Sequence, residues 1–120
     1  MLKRILIVDD RAEIRKLLAV ILGLEYEIMN ATDGEQALVA MRSFKPEVVF
    51  LDVMMPGKFD GIEVLRQIKS DVNLKQTLVA MVTAKGDAEN MKLAQSHGAD
   101  AFFVKPFSSL NLVSWLQEKL

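Results

Sequence analysis

Five short apolar runs, each followed by a stretch with helical spacing, leave this chain very few folds to choose from. Ile5-Leu6-Ile7-Val8 is continuous and rich in β-branched residues, the pattern of a strand buried on both faces. Val48-Val49-Phe50-Leu51, Leu78-Val79-Ala80-Met81-Val82 and Ala101-Phe102-Phe103-Val104 repeat that pattern, and Tyr26-Glu27-Ile28-Met29 is a shorter version. Between the first two strands, Ile14, Leu17, Leu18 and Ile21 fall on one face of a helix that Gly23 ends. Thr32-Asp33-Gly34-Glu35 reads as a capping box opening a second helix through Arg42. Asp60-Gly61-Ile62-Glu63 caps a third, with Ile62, Leu65 and Ile68 inward, and a fourth is expected from Asp87 to Ser96, before Gly98. Ser108 caps the fifth, whose buried face is expected to hold Leu112, Val113, Leu116 and Leu120. Strands and helices in strict alternation predict an open parallel sheet with helices on both faces. In such sheets the reactive crevice lies outside the carboxyl ends of the strands, so functional residues should follow strands directly.

A chain of 120 residues predicts one domain over 1–120, and a 51 % hydrophobic content predicts a packed core. The net charge of −1 lacks the basic surplus of a nucleic-acid-binding module, so no direct nucleic-acid binding is expected. No cysteine is present, which excludes disulfides and thiolate metal sites. No apolar segment reaches signal-peptide or transmembrane length, so no membrane association and a cytoplasmic location are expected.

Four strands end in chemically pointed residues: Asp9-Asp10 after the first, Asp52 after the third, Thr83 after the fourth, and Lys105-Pro106 after the fifth. Singly, each has an ordinary explanation. Asp10 with Glu13 suits a helix cap, Asp52 a turn, Thr83 a strand end and Lys105 a solvated surface. Together at one sheet edge they make a site. Three ionised carboxylates in one pocket repel unless a cation intervenes, and an oxygen-only donor set suits Mg²⁺. With the metal and Lys105 the formal charge comes to about zero. Asp52 is then a nucleophile able to form an acyl phosphate, with Lys105 and the Thr83 hydroxyl available to the phosphoryl oxygens.

The segments ILIVDD at 5–10, VVFLDVMMP at 48–56, DGIEVL at 60–65, MVTAK at 81–85 and GADAFFVKPF at 98–107 together resemble the receiver domain of response regulators in two-component signalling. The resemblance covers essentially the whole chain. It implies a flavodoxin-like (βα)5 fold, as in chemotaxis regulators, with strand order 2-1-3-4-5. It also implies that Asp9 and Asp10 hold Mg²⁺, with Mn²⁺ a substitute, together with Asp52 and the backbone carbonyl of Met54. Asp52 matches the phosphorylated aspartate, Thr83 the switch hydroxyl, Phe102 the aromatic switch position and Lys105 the phosphate-binding lysine. Lys105-Pro106 matches a peptide that is typically cis in the family. Partners implied are a sensor histidine kinase or phosphotransfer protein, and a downstream protein or linked output domain. A homodimer through the surface of the fourth helix, fifth strand and fifth helix is a further expectation. Met54 and Lys85 occupy positions expected to tune acyl phosphate lifetime. One departure stands out: Gly57-Lys58-Phe59-Asp60 places four residues between Pro56 and Gly61 where the common pattern has three.

Other classes fit less well. A haloacid-dehalogenase-like phosphohydrolase would want a second aspartate two residues after the nucleophile, where Met54 stands. A flavodoxin-like cofactor binder would want a Gly-, Ser- or Thr-rich loop after the first strand, where Asp9-Asp10-Arg11 repels phosphate in the absence of a metal. A degenerate docking scaffold would not need the intact set of Asp9, Asp10, Asp52, Thr83 and Lys105. The chain is therefore read as a regulatory phosphoacceptor and not a turnover enzyme. His97 is expected to end a helix and Trp115 to pack while partly exposed. The scattered methionines are read as core filling.

Overall fold

The computed structural model describes residues 2–84 and 86–120. Lys85, one of the two positions expected to tune acyl phosphate lifetime, lies outside the described residues, as does Met1. The strands are β1 (Lys3–Val8), β2 (Tyr26–Ala31), β3 (Val48–Asp52), β4 (Leu78–Ala84) and β5 (Ala101–Lys105). The helices are α1 (Ala12–Leu22), α2 (Gly34–Phe44), α3 (Gly61–Ser70), α4 (Ala88–Ser96) and α5 (Ser109–Lys119). All strand pairs are parallel, and the order β2-β1-β3-β4-β5 is the expected one.

The central strands split their side chains between two cores because successive residues point to opposite faces. Ile5, Ile7, Val48 and Phe50 pack against Leu18 and Leu22 of α1 and Leu112 and Leu116 of α5. Leu6, Val8, Val49 and Leu51 pack instead against residues of α2 and α3 and against Ala94 of α4. The chain thus leaves β1 on one face and returns to β3 from the other. This reversal opens a crevice at the carboxyl ends of β1 and β3. Trp115 is half-buried and meets Phe50 and Phe103 edge-on, at centroid distances of 6.4 Å and 5.9 Å. His97 ends α4, its N–H donating to the Leu93 and Ala94 carbonyls.

Several local expectations shift by a residue or a face. The cap of α2 is Asp33, whose Oδ1 accepts from the Gln36 N–H at 2.8 Å, while the Gln36 side chain accepts from Thr32. Adjacent Thr and Asp are both good caps, and the stronger acceptor takes the position; the helix then runs on to Phe44. Asp10 does not cap α1. Arg11 holds the N-cap position, and Asp9 Oδ1 accepts its N–H at 2.9 Å. On α1 the buried stripe is centred on Leu18 and Leu22, so Leu17 falls on the rim and is 47 % exposed. Val64 is fully buried on α3 while Ile62 is only partly so. Leu120, beyond the last turn of α5, is exposed.

One ion pair ties the far end of the sheet. Lys69 Nζ lies 2.9 Å from Asp100 Oδ2 and donates to the Thr77 and Lys75 carbonyls at 2.8 Å and 3.3 Å. The same Asp100 oxygen accepts the Val79 N–H at 2.8 Å, so the cluster joins α3, β4 and the approach to β5. Lys69→Met strips the cation from a half-buried carboxylate and two carbonyls. It should lower stability by about 1–3 kcal/mol, read as a lower urea midpoint at unchanged slope.

Candidate functional site

β1, β3 and β5 deliver the charged groups of the site and the end of β4 borders it, because these four strands end at the same edge. Asp9 is almost fully buried and is pinned from several sides. Its N–H donates to the Ala31 carbonyl at 3.1 Å, and Arg15 Nη1 donates to its carbonyl at 2.7 Å. Asp52 is the last residue of a strand with no exposed position, and only 6 % of its own surface is exposed. Lys105 Nζ reaches both carboxylates, at 3.2 Å from Asp9 Oδ2 and 3.4 Å from Asp52 Oδ1. The Met54 N–H also donates to Asp52 Oδ1, at 3.4 Å. Lys105-Pro106 is cis.

Asp10 is exposed at the rim, yet one oxygen from each of Asp9, Asp10 and Asp52 lies within 4.8 Å of the others. A cavity of about 400 Å³ opens above them, lined by Asp10, Arg11, Asp52, Met54, Ala84 and Lys105. Burial, and then the nearby Asp9 charge, push the Asp52 carboxyl up to about 6, although Lys105 and the Met54 N–H pull the other way. Three carboxylates against one ammonium leave two negative charges uncompensated. The hard oxygen donors and this charge deficit fit a divalent cation of the Mg²⁺ class.

The turn after Asp52 is set by a glycine. Gly61 donates its N–H to the Val53 carbonyl at 3.0 Å, and a Cβ at position 61 would lie 2.0 Å from the Asp52 carbonyl oxygen. α3 therefore begins directly against the backbone of Asp52. The loop from Gly57 to Asp60 leads into this contact. Gly57 adopts φ +99°, Phe59 tucks into the α2–α3 core, and Asp60 caps α3 by accepting the Glu63 N–H at 2.9 Å.

Asp9, Asp10, Asp52, Met54 and Lys105 are thus brought together, while Thr83 and Phe102 stand apart. Thr83 is fully buried and does not line the cavity; among the described residues its hydroxyl has one contact, with the Ala84 carbonyl at 3.5 Å. Val79 and Met81 face the α2–α4 layer, and alternation puts Thr83 on that face too. Phe102, in register with Met81, packs half-buried against the same layer. Sequence reasoning did not single out Arg11 or Gly61 as parts of the site. The only signals were a basic residue directly after the acidic pair and a glycine after a cap.

A doubly wound parallel sheet with an acidic cluster and a lysine at its switch point defines a receiver-type α/β domain. The response regulator receiver domain family matches residues 5–117, and the chain belongs to that family. The DNA-binding response regulator MtrA of Mycobacterium tuberculosis is 37 % identical over 121 residues, covering 100 % of this chain and 51 % of that protein. The phosphate regulon transcriptional regulatory protein PhoB of Pseudomonas aeruginosa is 40 % identical over 119 residues, covering 98 % and 52 %. The chain spans about half the length of these curated relatives. Among solved structures, the chemotaxis response regulator CheY4 of Vibrio cholerae aligns over 100 % of both chains with TM-score 0.89 and 30 % identity. No helix among the described residues is long and apolar enough to cross a membrane.

Proposed function

We propose that residues 1–120 form a phosphoacceptor domain in which Asp52 takes a phosphoryl group from a phosphohistidine of a sensor histidine kinase or phosphotransfer protein. The observation that carries this reading is the buried Asp52 carboxylate, joined to Lys105 and set against Asp9 at the mouth of an open cavity. With its carboxyl at about 6, Asp52 is ionised at neutral pH and available as a nucleophile. One of its oxygens bonds to phosphorus as the phosphorus–nitrogen bond to the donor imidazole breaks. The electron pair of that bond stays on the imidazole, which takes up a proton. Lys105, already within reach of Asp52, binds a phosphoryl oxygen. Thr83 holds its present acceptor so weakly, at 3.5 Å, that its hydroxyl is free to turn toward a second oxygen.

Asp9, Asp10, Asp52 and the Met54 carbonyl would hold Mg²⁺, or Mn²⁺ as a substitute. That ion, when bound, offsets the carboxylate charge and the charge spread over the phosphoryl oxygens. Movement of Thr83 and of Phe102 on the shared face then alters the α4–β5–α5 surface, where a partner, an output domain or a second copy responds to the change. The DNA-binding relatives, about twice this length, support a linked output domain; the domain itself, near neutral, does not engage nucleic acid. A cytoplasmic location follows from the same reading. With Met54 where a phosphohydrolase needs a carboxylate, the domain only assists its own phosphorylation and dephosphorylation.

Intact-mass analysis after incubation with acetyl phosphate and Mg²⁺ tests this. One labile phosphoryl adduct should form, and it should be absent from Asp52→Ala and after chelation. An adduct that persists in Asp52→Ala would move the acceptor elsewhere and overturn the proposal.

A further inference from the structure

Two guanidinium groups lie beside the acidic cluster, and they are differently engaged. Arg15 is committed, donating to the Asp9 carbonyl at 2.7 Å. The Arg11 backbone is fixed just as firmly, by its N–H to Asp9 Oδ1 at 2.9 Å, but its side chain is not. Among the described residues, the Arg11 guanidinium has one ion-pair partner within 4 Å, Glu13, at 3.8 Å on a side chain that is itself 74 % exposed. Such a surface pair contributes little and is readily exchanged. The Arg11 side chain is half-exposed, lines the cavity that holds Asp52 and Lys105, and retains nearly all its donors.

The charge balance gives this spare group a task. A divalent cation bound at the carboxylates brings Asp9, Asp10, Asp52 and Lys105 to formal neutrality, so that set carries no net positive charge to draw in a doubly charged phosphodonor from a distance. Among the described residues, Arg11 is the remaining positive group on the cavity wall, and its planar fork matches phosphate geometry.

We propose that Arg11 is a donor-binding residue whose guanidinium holds the phosphoryl oxygens of an incoming dianionic phosphodonor, such as an acyl phosphate, before transfer to Asp52. The inference rests on the reading of Asp52 as the phosphoacceptor. It concerns capture of the donor and leaves bond-breaking to Asp52 and Lys105. Attraction across an open cavity also makes the effect sensitive to salt.

Steady-state phosphorylation by acetyl phosphate, with Mg²⁺ held saturating, separates capture from chemistry. Arg11→Gln should raise KM about tenfold while the saturated rate falls less than about twofold. Arg11→Lys, which keeps the charge but not the fork, should fall between the two. Added salt should raise KM in the wild type and have little effect in Arg11→Gln. An unchanged KM, or a loss confined to the saturated rate, overturns the proposal.

A second readout does not depend on transfer. Inorganic phosphate, titrated into the Mg²⁺-loaded protein by calorimetry, should bind more weakly to Arg11→Gln than to wild type. If Asp52 proves not to accept a phosphoryl group but this difference persists, the acceptor reading fails and the anion-binding role of Arg11 survives. Equal phosphate binding by both proteins overturns that role.

Discussion

Gly61→Ala is expected to destabilise the domain by about 3 kcal/mol or more, a large effect for the addition of one methyl group. The added Cβ would stand 2.0 Å from the Asp52 carbonyl oxygen and 2.8 Å from its carbon. Both neighbours are backbone, so no side-chain rotation relieves the contact. Relief requires α3 to draw back, which breaks the Gly61 N–H to Val53 carbonyl bond, or the end of β3 to move, which displaces Asp52 from Lys105. Urea unfolding should report the loss of stability. Folded Gly61→Ala should also accept phosphoryl more slowly than wild type at the same temperature. Gly57→Ala is the control: φ is +99° there, but no atom lies within 4 Å of the added Cβ. The cost should be about 1 kcal/mol, from backbone strain alone. Equal effects from the two substitutions would contradict the assignment of Gly61 as the seat of the Asp52 turn.

The second large effect has the opposite sign. Asp52→Asn should make the metal-free protein more stable at neutral pH. Burial and the Asp9 charge raise the Asp52 carboxyl from 3.8 to about 6 in the folded state. As pH rises through this window, the unfolded chain gives up its proton first, so the folded state binds more protons and stability falls with rising pH. Above about pH 6 the full penalty is present, and asparagine, which cannot ionise, escapes it. Discounted for the solvent-facing cavity, the gain is on the order of 1–2 kcal/mol. That corresponds to a rise of roughly 3–8 °C in Tm for a domain of this size. In chelator at pH 7.5 the variant should melt above the wild type, and at pH 4 the two should nearly coincide. Saturating Mg²⁺ should close the gap by raising the wild type. A variant that melts lower than wild type at pH 7.5 in chelator would show that the Lys105 attraction outweighs burial.

The sequence conveyed the frame of this domain better than its fittings. Strands were legible because runs such as Ile5-Leu6-Ile7-Val8 are short, rich in β-branched residues and apolar at every position, a pattern that suits a sheet covered on both sides. The strand-end residues were legible because parallel topology alone brings Asp9, Asp52 and Lys105 to one edge, although Lys105 is 96 and 53 residues away from the other two. Caps were less so: Thr32 and Asp33 are both competent, and the choice depends on how the α2 start meets the loop around Phe59. Leu17 was misplaced for a related reason. Periodicity defines a stripe on α1, but how far the sheet and α5 cover it is a tertiary matter. Gly61 was invisible as a site residue because its constraint is a contact with a carbonyl nine residues earlier. Arg11 was visible only as a charge, and its freedom is known only once Arg15 and Glu13 are placed.

The burial of β3 also bears on how chains of this kind can diverge. Every residue of Val48–Asp52 is enclosed, whereas Met29 and Asn30 on β2 look into solvent. Substitution is therefore cheap along the β2 edge and costly along the strand that carries Asp52, where successive side chains enter opposite helical layers and a change of one methylene is felt in the layer it enters. New specificities have to be acquired where the wall ends. The loop between Pro56 and Gly61, with Gly57 and Lys58 exposed, is one stretch of this chain where such change meets no packed core.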